Sequence, residues 1–203
     1  MITHSGAAVF PREDTVNHTG QAPTLEDIGR GLGRAVRFAG QVDTYYTVLC
    51  HTIVAVSIVE PKYAHHLLLH DAHEAILSDT VTTWKNPLTK DDEHELDELI
   101  YASLGLDLPN EEEQAVIKAA DLACLAAEAH ILGHAEAEKY WPKESFGELE
   151  QEAFALTVRL LQQNAPMVFL DGVKAGHLYK QMIEQAVDPD GFAERQKIKA
   201  VMG

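Results

Sequence analysis

Residues 67–79 constrain the fold more than any other stretch. Leu67, Leu68 and Leu69 read as the inside of an interior helix, and His70, Asp71, His73, Glu74 and Asp79 follow at once. Buried ionisable groups are costly unless they are paired or bound to a metal. On a helix, Glu74 lies one turn from His70 and three residues from Asp71, so it can share a face with either. A His, an Asp and a Glu converging in apolar surroundings suggest a metal site with an acid or base beside it. The competing reading is a polar stripe on the solvent side of an amphipathic helix.

The rest of the chain reads as helices. Residues 1–22 lack periodicity and suggest an irregular arm. Thr24 with Asp27 forms an N-terminal capping pattern, opening a helix over 24–38 that stops at Gly40. A second helix is expected over 43–60, with His51 at its middle. Its Val and Ile residues would suit a strand, but its length favours a helix. Pro61 suits the first turn of a third helix running to residue 77 or 78. A loop over 80–87 carries Trp84 and Lys85, and Thr89 starts a helix ending near Gly105. Asn110 and the acidic run Glu111–Glu113 open a helix to about Leu132. A short segment over 135–141 and helices over 145–164 and 171–187 complete the pattern, and a polar tail occupies 188–203. The expectation is a single all-α domain over 23–187.

Acidic residues outnumber basic ones 32 to 16 in 203 residues, a formal charge of −16. Duplex nucleic acid, which needs a basic footprint, is thereby disfavoured as a partner. A small anionic substrate remains compatible if a cation and local Lys or Arg offset the field. No apolar run reaches membrane-spanning length and the N-terminus lacks a signal pattern, so a soluble, cytoplasmic protein is expected (host cytoplasm, were it phage-encoded). Cys50 and Cys124 sit in apolar helical sequence and read as buried free thiols.

Three interior helices each carry ionisable groups into apolar sequence: His51, then His70 and Asp71, then Asp121. Asp121 is embedded in Ala119-Ala120-Asp121-Leu122-Ala123-Cys124. Burial there would raise its pKa unless a cation stabilised the carboxylate. Two imidazoles and two carboxylates make a mixed N/O set for one divalent ion, with Zn, Mn, Co, Fe and Mg all accommodated.

The order His51, His70-Asp71, Asp121 resembles the H…HD…D pattern of the HD-domain metal-dependent phosphohydrolases. Arg37-Phe38-Ala39-Gly40 ahead of Tyr46–His51 is similar to the segment before the first metal histidine in compact nucleotide-hydrolysing members. His70-Asp71-Ala72-x-Glu74-Ala75-x-x-x-Asp79 with Lys85, and Lys118-Ala119-Ala120-Asp121, resemble their other motifs. The resemblance covers about 24–128. It implies a helical HD-domain bundle whose metal is held by His51, His70, Asp71 and Asp121. It also implies acid–base roles for Glu74 and Asp79, and phosphate contacts from Arg37 and Lys118. The pattern resembles that of bacterial 5′-deoxyribonucleotidases and phage-type deoxyadenosine triphosphohydrolases, which are usually homo-oligomers. A triphosphate substrate could recruit further Mg or Co ions through Glu74 or Asp79. Cys50 and Thr52 flanking His51, the loop Thr80–Trp84 and Leu122 depart from the family pattern.

Phe38 and Trp84 could stack on a base or simply pack, and Lys85 could meet phosphate or only solvent. His73 reads as structural or substrate-contacting. The remaining histidines read as surface or satisfied, with His130 and His134 one turn apart. His73-Glu74-Ala75-Ile76-Leu77 starts like a zinc-protease motif but has Leu77 where the second His is needed. Glu-x-x-His pairs of di-iron bundles and a P-loop are both lacking. The rival of a different class is a non-catalytic helical protein that binds a metal or nucleotide for regulation.

Overall fold

The computed structural model describes residues 3–7, 9, 21–79, 86–162 and 172–190. The expectations at Trp84 and Lys85, and those for most of the arm and tail, lie outside them. The helices are α1 (Leu25–Leu32), α2 (Val48–Ser57), α3 (Ala64–Leu69), α4 (Glu74–Leu77), α5 (Pro87–Leu104), α6 (Glu111–Ile131), α7 (Ala137–Tyr140), α8 (Glu148–Gln162) and α9 (Gly172–Val187). Among the described residues there is no strand, only an isolated antiparallel bridge between Val36 and Thr47. The all-α expectation therefore holds. No helix among these residues is long and apolar enough to cross a membrane.

Helix α2 is apolar on all sides, so it must be covered on all sides. Cys50, Val54 and Ala55 pack with Ala120, Ala123, Cys124 and Ala127 of α6 and with Ala153 and Leu160 of α8. Val48 and Leu49 pack the other way, against Ile28 and Leu32 of α1, Leu68 and Leu69 of α3, and Tyr179 of α9. His51 is thereby carried into the centre of the molecule. Glycine permits the closest approaches around this frame. A Cβ on Gly31 would lie 2.5 Å from the Ala75 carbonyl oxygen, and one on Gly176 would lie 2.6 Å from that of Glu26. Tyr179 donates a buried hydrogen bond of 2.6 Å to the Leu68 carbonyl, pinning α3 just before His70.

Local capping signals set several boundaries as expected. Thr24 with Asp27, and Asn110 with Glu113, form reciprocal capping boxes. Gly105 ends α5 in the left-handed conformation. Helix α5 starts earlier than Thr89, because Asn86 caps it and Pro87 takes its first position.

Three expectations are corrected. Helix α1 stops at Leu32 instead of reaching Phe38. Backbone bonds from Arg37 N to Tyr46 O (3.0 Å) and Val48 N to Ala35 O (2.9 Å) pull the chain into a loop. Phe38 and Ala39 then take left-handed φ values of 56° and 50°. The second helix begins at Val48, not near residue 43, with the Thr47 hydroxyl accepting from the Cys50 amide. The third is not continuous to residue 77. Its ladder tightens after Leu69, where Ala72 N bonds Leu69 O and Glu74 N bonds Asp71 O, both at 3.0 Å. His70 to His73 therefore form a turn between α3 and α4.

Candidate metal centre

Four side chains from α2, the α3–α4 turn and α6 gather around His51 Nε2. His51 Nε2 lies 3.3 Å from His70 Nε2, 3.2 Å from Asp121 Oδ1 and 3.7 Å from Asp71 Oδ2. His70 Nε2 lies 3.1 Å from Asp71 Oδ2. Donors held about 2.1 Å from one ion are separated by about 3.0 Å at neighbouring octahedral corners and about 3.4 Å in a tetrahedron. The spacing of the four therefore suits ligands of a single cation.

The far nitrogen of each ring is committed elsewhere. His70 Nδ1 donates to the Leu67 carbonyl at 2.7 Å, and a carbonyl can only accept, which fixes that proton. His51 Nδ1 donates to Glu128 Oε1 at 2.9 Å. Each ring, when neutral, thus turns an Nε2 lone pair toward a point that two carboxylates also face. Such crowding of lone pairs is repulsive without positive charge between them, so the donor set fits a divalent ion.

Acid–base behaviour of the metal-free chain points the same way. Burial and Arg37 depress His51, but Glu128 and Asp121 outweigh them and raise it to about 10. Burial lowers His70, and Asp71 more than reverses this. Burial would raise Asp71 and Asp121, yet His70, His51 and Arg37 hold Asp71 well below the carboxylate range, and His51 and His70 lower Asp121. Protons on the imidazoles meet a demand that a metal would take over on binding.

Glu128 is the functional candidate that sequence reasoning missed. It is fully buried. Besides His51 it accepts from the Tyr46 hydroxyl at 3.1 Å, and its Oε2 lies 3.3 Å from Arg37 Nε. The signal was its spacing: it follows Asp121 by seven residues, two turns along the same helix face, inside alanine-rich sequence.

Arg37 is buried, and its NH1 also lies 3.7 Å from Asp71 Oδ2. Although burial disfavours its charge, Glu128 and Asp71 raise its pKa. Its guanidinium is turned to the carboxylates of the centre. Phe38 is half-buried against the core and 5.7 Å from the His134 ring. Lys118 is exposed and borders a cavity of about 340 Å³ that His70, Asp121, Asp97, Tyr101 and Leu108 also line.

Glu74 is buried, and burial with the nearby Asp71 and Asp79 raises it to about 8. The helix break groups it with Asp71 and His73, within 4.8 Å of one another, instead of with His70. Asp79 is half-buried and follows Ser78, whose φ of 66° and ψ of 158° turn the chain sharply at the end of α4. His73 Nδ1 lies 3.0 Å from Asp97. His66 bonds the Tyr101 hydroxyl, and His130 bonds the Trp141 carbonyl. Cys50 and Cys124 are buried and form no disulfide.

The class these residues define is an all-α protein with a mixed N/O candidate metal centre between three helical segments. No protein-family model matches the chain. It is similar to YfdR, an uncharacterized protein of Escherichia coli (strain K12), with 32% identity over 120 residues. The match covers 58% of this chain and 65% of YfdR, so it spans less than two thirds of that relative's length.

Proposed function

We propose that this chain is a divalent-metal-dependent phosphohydrolase acting on (deoxy)nucleoside 5′-phosphates, of the HD-domain kind. The observation that carries the reading is the convergence of His51, His70, Asp71 and Asp121: His51 Nε2 lies 3.2–3.7 Å from a donor atom of each of the other three, and His70 Nε2 lies 3.1 Å from Asp71. Their order along the chain is the H…HD…D order. When bound, a divalent ion supplies Lewis acidity toward a phosphoryl oxygen and lowers the pKa of a water. Glu128 and the Leu67 carbonyl orient the two imidazoles. Arg37 holds Asp71 and Glu128 turned inward. Lys118, at the rim of the cavity that His70 and Asp121 line, holds phosphate. Glu74 and Asp79 divide the proton transfers: one accepts from the attacking water, the other protonates the leaving oxygen as its bond to phosphorus breaks.

The test is a screen of ribo- and deoxyribonucleoside mono-, di- and triphosphates with Zn, Mn, Co, Fe or Mg. Release of phosphate, pyrophosphate or tripolyphosphate identifies the bond cleaved and separates a 5′-nucleotidase from a triphosphohydrolase. Nucleotide binding without release under every ion would overturn the enzyme in favour of a regulatory binding protein. The reading carries a homo-oligomer with it, which light scattering measures.

A further inference from the structure

The end of α1 carries two arginines, Arg30 in its last turn and Arg34 just beyond its cap at Gly33. They run side by side against the start of α9, where a Cβ on Gly172 would lie 2.9 Å from both Arg30 Cγ and Arg34 NH2. Two cations held together repel unless a negative group sits with them. The acidic residues of α1 do not supply it. Glu26 pairs with Lys180 at 2.7 Å. Asp27 accepts from the Ser5 amide at 3.0 Å, from the Thr24 amide at 3.2 Å and from the Thr24 hydroxyl at 2.8 Å, and the Ser5 hydroxyl donates to it as well. Neither arginine has a carboxylate partner among the described residues. Arg30 Nε is buried and has no hydrogen-bond acceptor. A buried donor left unpaired is costly, and an orphan of this kind calls for a group that binds there. Both arginines border a cavity of about 240 Å³, which Thr3 and His4 of the arm and Ala75 and Ile76 of α4 also line. Asp27 lines it too, with its oxygens engaged by Ser5 and Thr24.

We propose that Arg30 and Arg34 bind a small inorganic phosphate anion, phosphate or pyrophosphate, in this cavity between the arm, α1 and α4. Planar guanidinium forks match phosphate oxygens and hydrogen-bond them in pairs. In a chain of formal charge −16, an anion settles only where local cations outweigh the overall field, and this pair does so without a metal. Thr3 and His4 add a hydroxyl and a ring nitrogen at the edge. The lining holds no Phe, Tyr or Trp on which a nucleobase could stack, so the inorganic anion fits better than a nucleotide. The cavity is separate from the metal centre: Ala75 and Ile76 face it, while Glu74 is grouped with Asp71 and His73. The proposal goes beyond the phosphohydrolase reading and depends on neither its metal nor its reaction.

The experiment titrates the full chain with inorganic phosphate and with pyrophosphate by calorimetry, after chelator treatment so that no metal can hold the anion. One anion per chain is expected, bound more weakly as salt is added. Arg30→Gln and Arg34→Gln should each weaken it by about ten- to a hundredfold. Arg34→Lys, which keeps the charge and loses the fork, should fall between. Arg34 is exposed, so its two variants guard against misfolding of Arg30→Gln. Lys118→Gln, altered at the cavity beside the metal centre, should bind as the unaltered chain does. A chain that binds neither anion overturns the site, and so does binding that Arg30→Gln and Arg34→Gln both retain. Loss in Lys118→Gln alone places the anion beside the metal centre, which overturns this site and leaves the phosphohydrolase reading standing. Conversely, arginine-dependent binding in a chain that hydrolyses no nucleotide supports this site while that reading falls.

Discussion

Glu128 offers the sharpest test of the metal centre, because it contacts no substrate-facing surface and acts through its neighbours. In Glu128→Gln the shape is kept, and His51 Nδ1 can still donate to an amide oxygen. The bond, 2.9 Å in the unaltered chain, loses its charge assistance. Hydrogen bonds to charged groups contribute about 1.5–3 kcal/mol and neutral ones about 0.5–1.5 kcal/mol, so the loss is about 1.4 kcal/mol. That corresponds to about a tenfold weaker metal affinity, within the range for partners behind metal-binding histidines. Glu128→Ala goes further by removing the 3.3 Å partner of buried Arg37. Breaking a buried ion pair costs about 3–5 kcal/mol, and because Arg37 keeps Asp71 at 3.7 Å, the lower end applies. At roughly 2–4 °C per kcal/mol for a domain of this size, the melting temperature should fall by roughly 6–12 °C. Calorimetric metal titration of the Gln variant and thermal melts of the Ala variant measure the two effects separately. A Gln variant that binds metal within twofold of the unaltered protein would refute the claim that Glu128 tunes His51.

Glu74→Ala should lower nucleotide hydrolysis by at least about a hundredfold while the ion held by His51, His70, Asp71 and Asp121 stays bound; equal turnover would remove Glu74 from the mechanism. In chelator-treated protein, Glu74 is raised from its ordinary value to about 8, mainly by burial and then by Asp71 and Asp79. The folded state therefore holds more protons than the unfolded state between about pH 4.5 and 8, and stability falls as pH rises through that window. Denaturant melts at pH 6 and 8.5 should show this loss, and Glu74→Gln should diminish it. His51, raised to about 10, contributes stability present below about pH 6.5 that is lost as pH climbs through 10, so its effect continues on the alkaline side. Ser78 has a φ of 66° and ψ of 158°, a region that suits glycine. Ser78→Gly should thus gain about 1 kcal/mol of stability, read as a higher melting temperature, and lower hydrolysis by loosening Asp79.

What the sequence discloses follows the range of the interaction responsible. The starts of α1 and α6 were legible because Thr24 with Asp27, and Asn110 with Glu113, complete their own hydrogen bonds within three residues. The interior position of α2 was legible because its apolar residues leave no side for water. The break at His70 was not, since a ring nitrogen bonding back to the Leu67 carbonyl and a ladder that tightens by one residue carry no propensity signal. Nor was the loop that delivers Arg37, which depends on the pairing of Val36 with Thr47 across eleven positions. The same distinction explains the site. His51, His70, Asp71 and Asp121 stand out because each is a polar residue in apolar sequence. Glu128 stands in equally apolar sequence, but its meaning depends on which helix faces it. Only when α2 lies against α6 does a lone glutamate become the group that fixes the proton of His51, and so the direction in which its other nitrogen can donate.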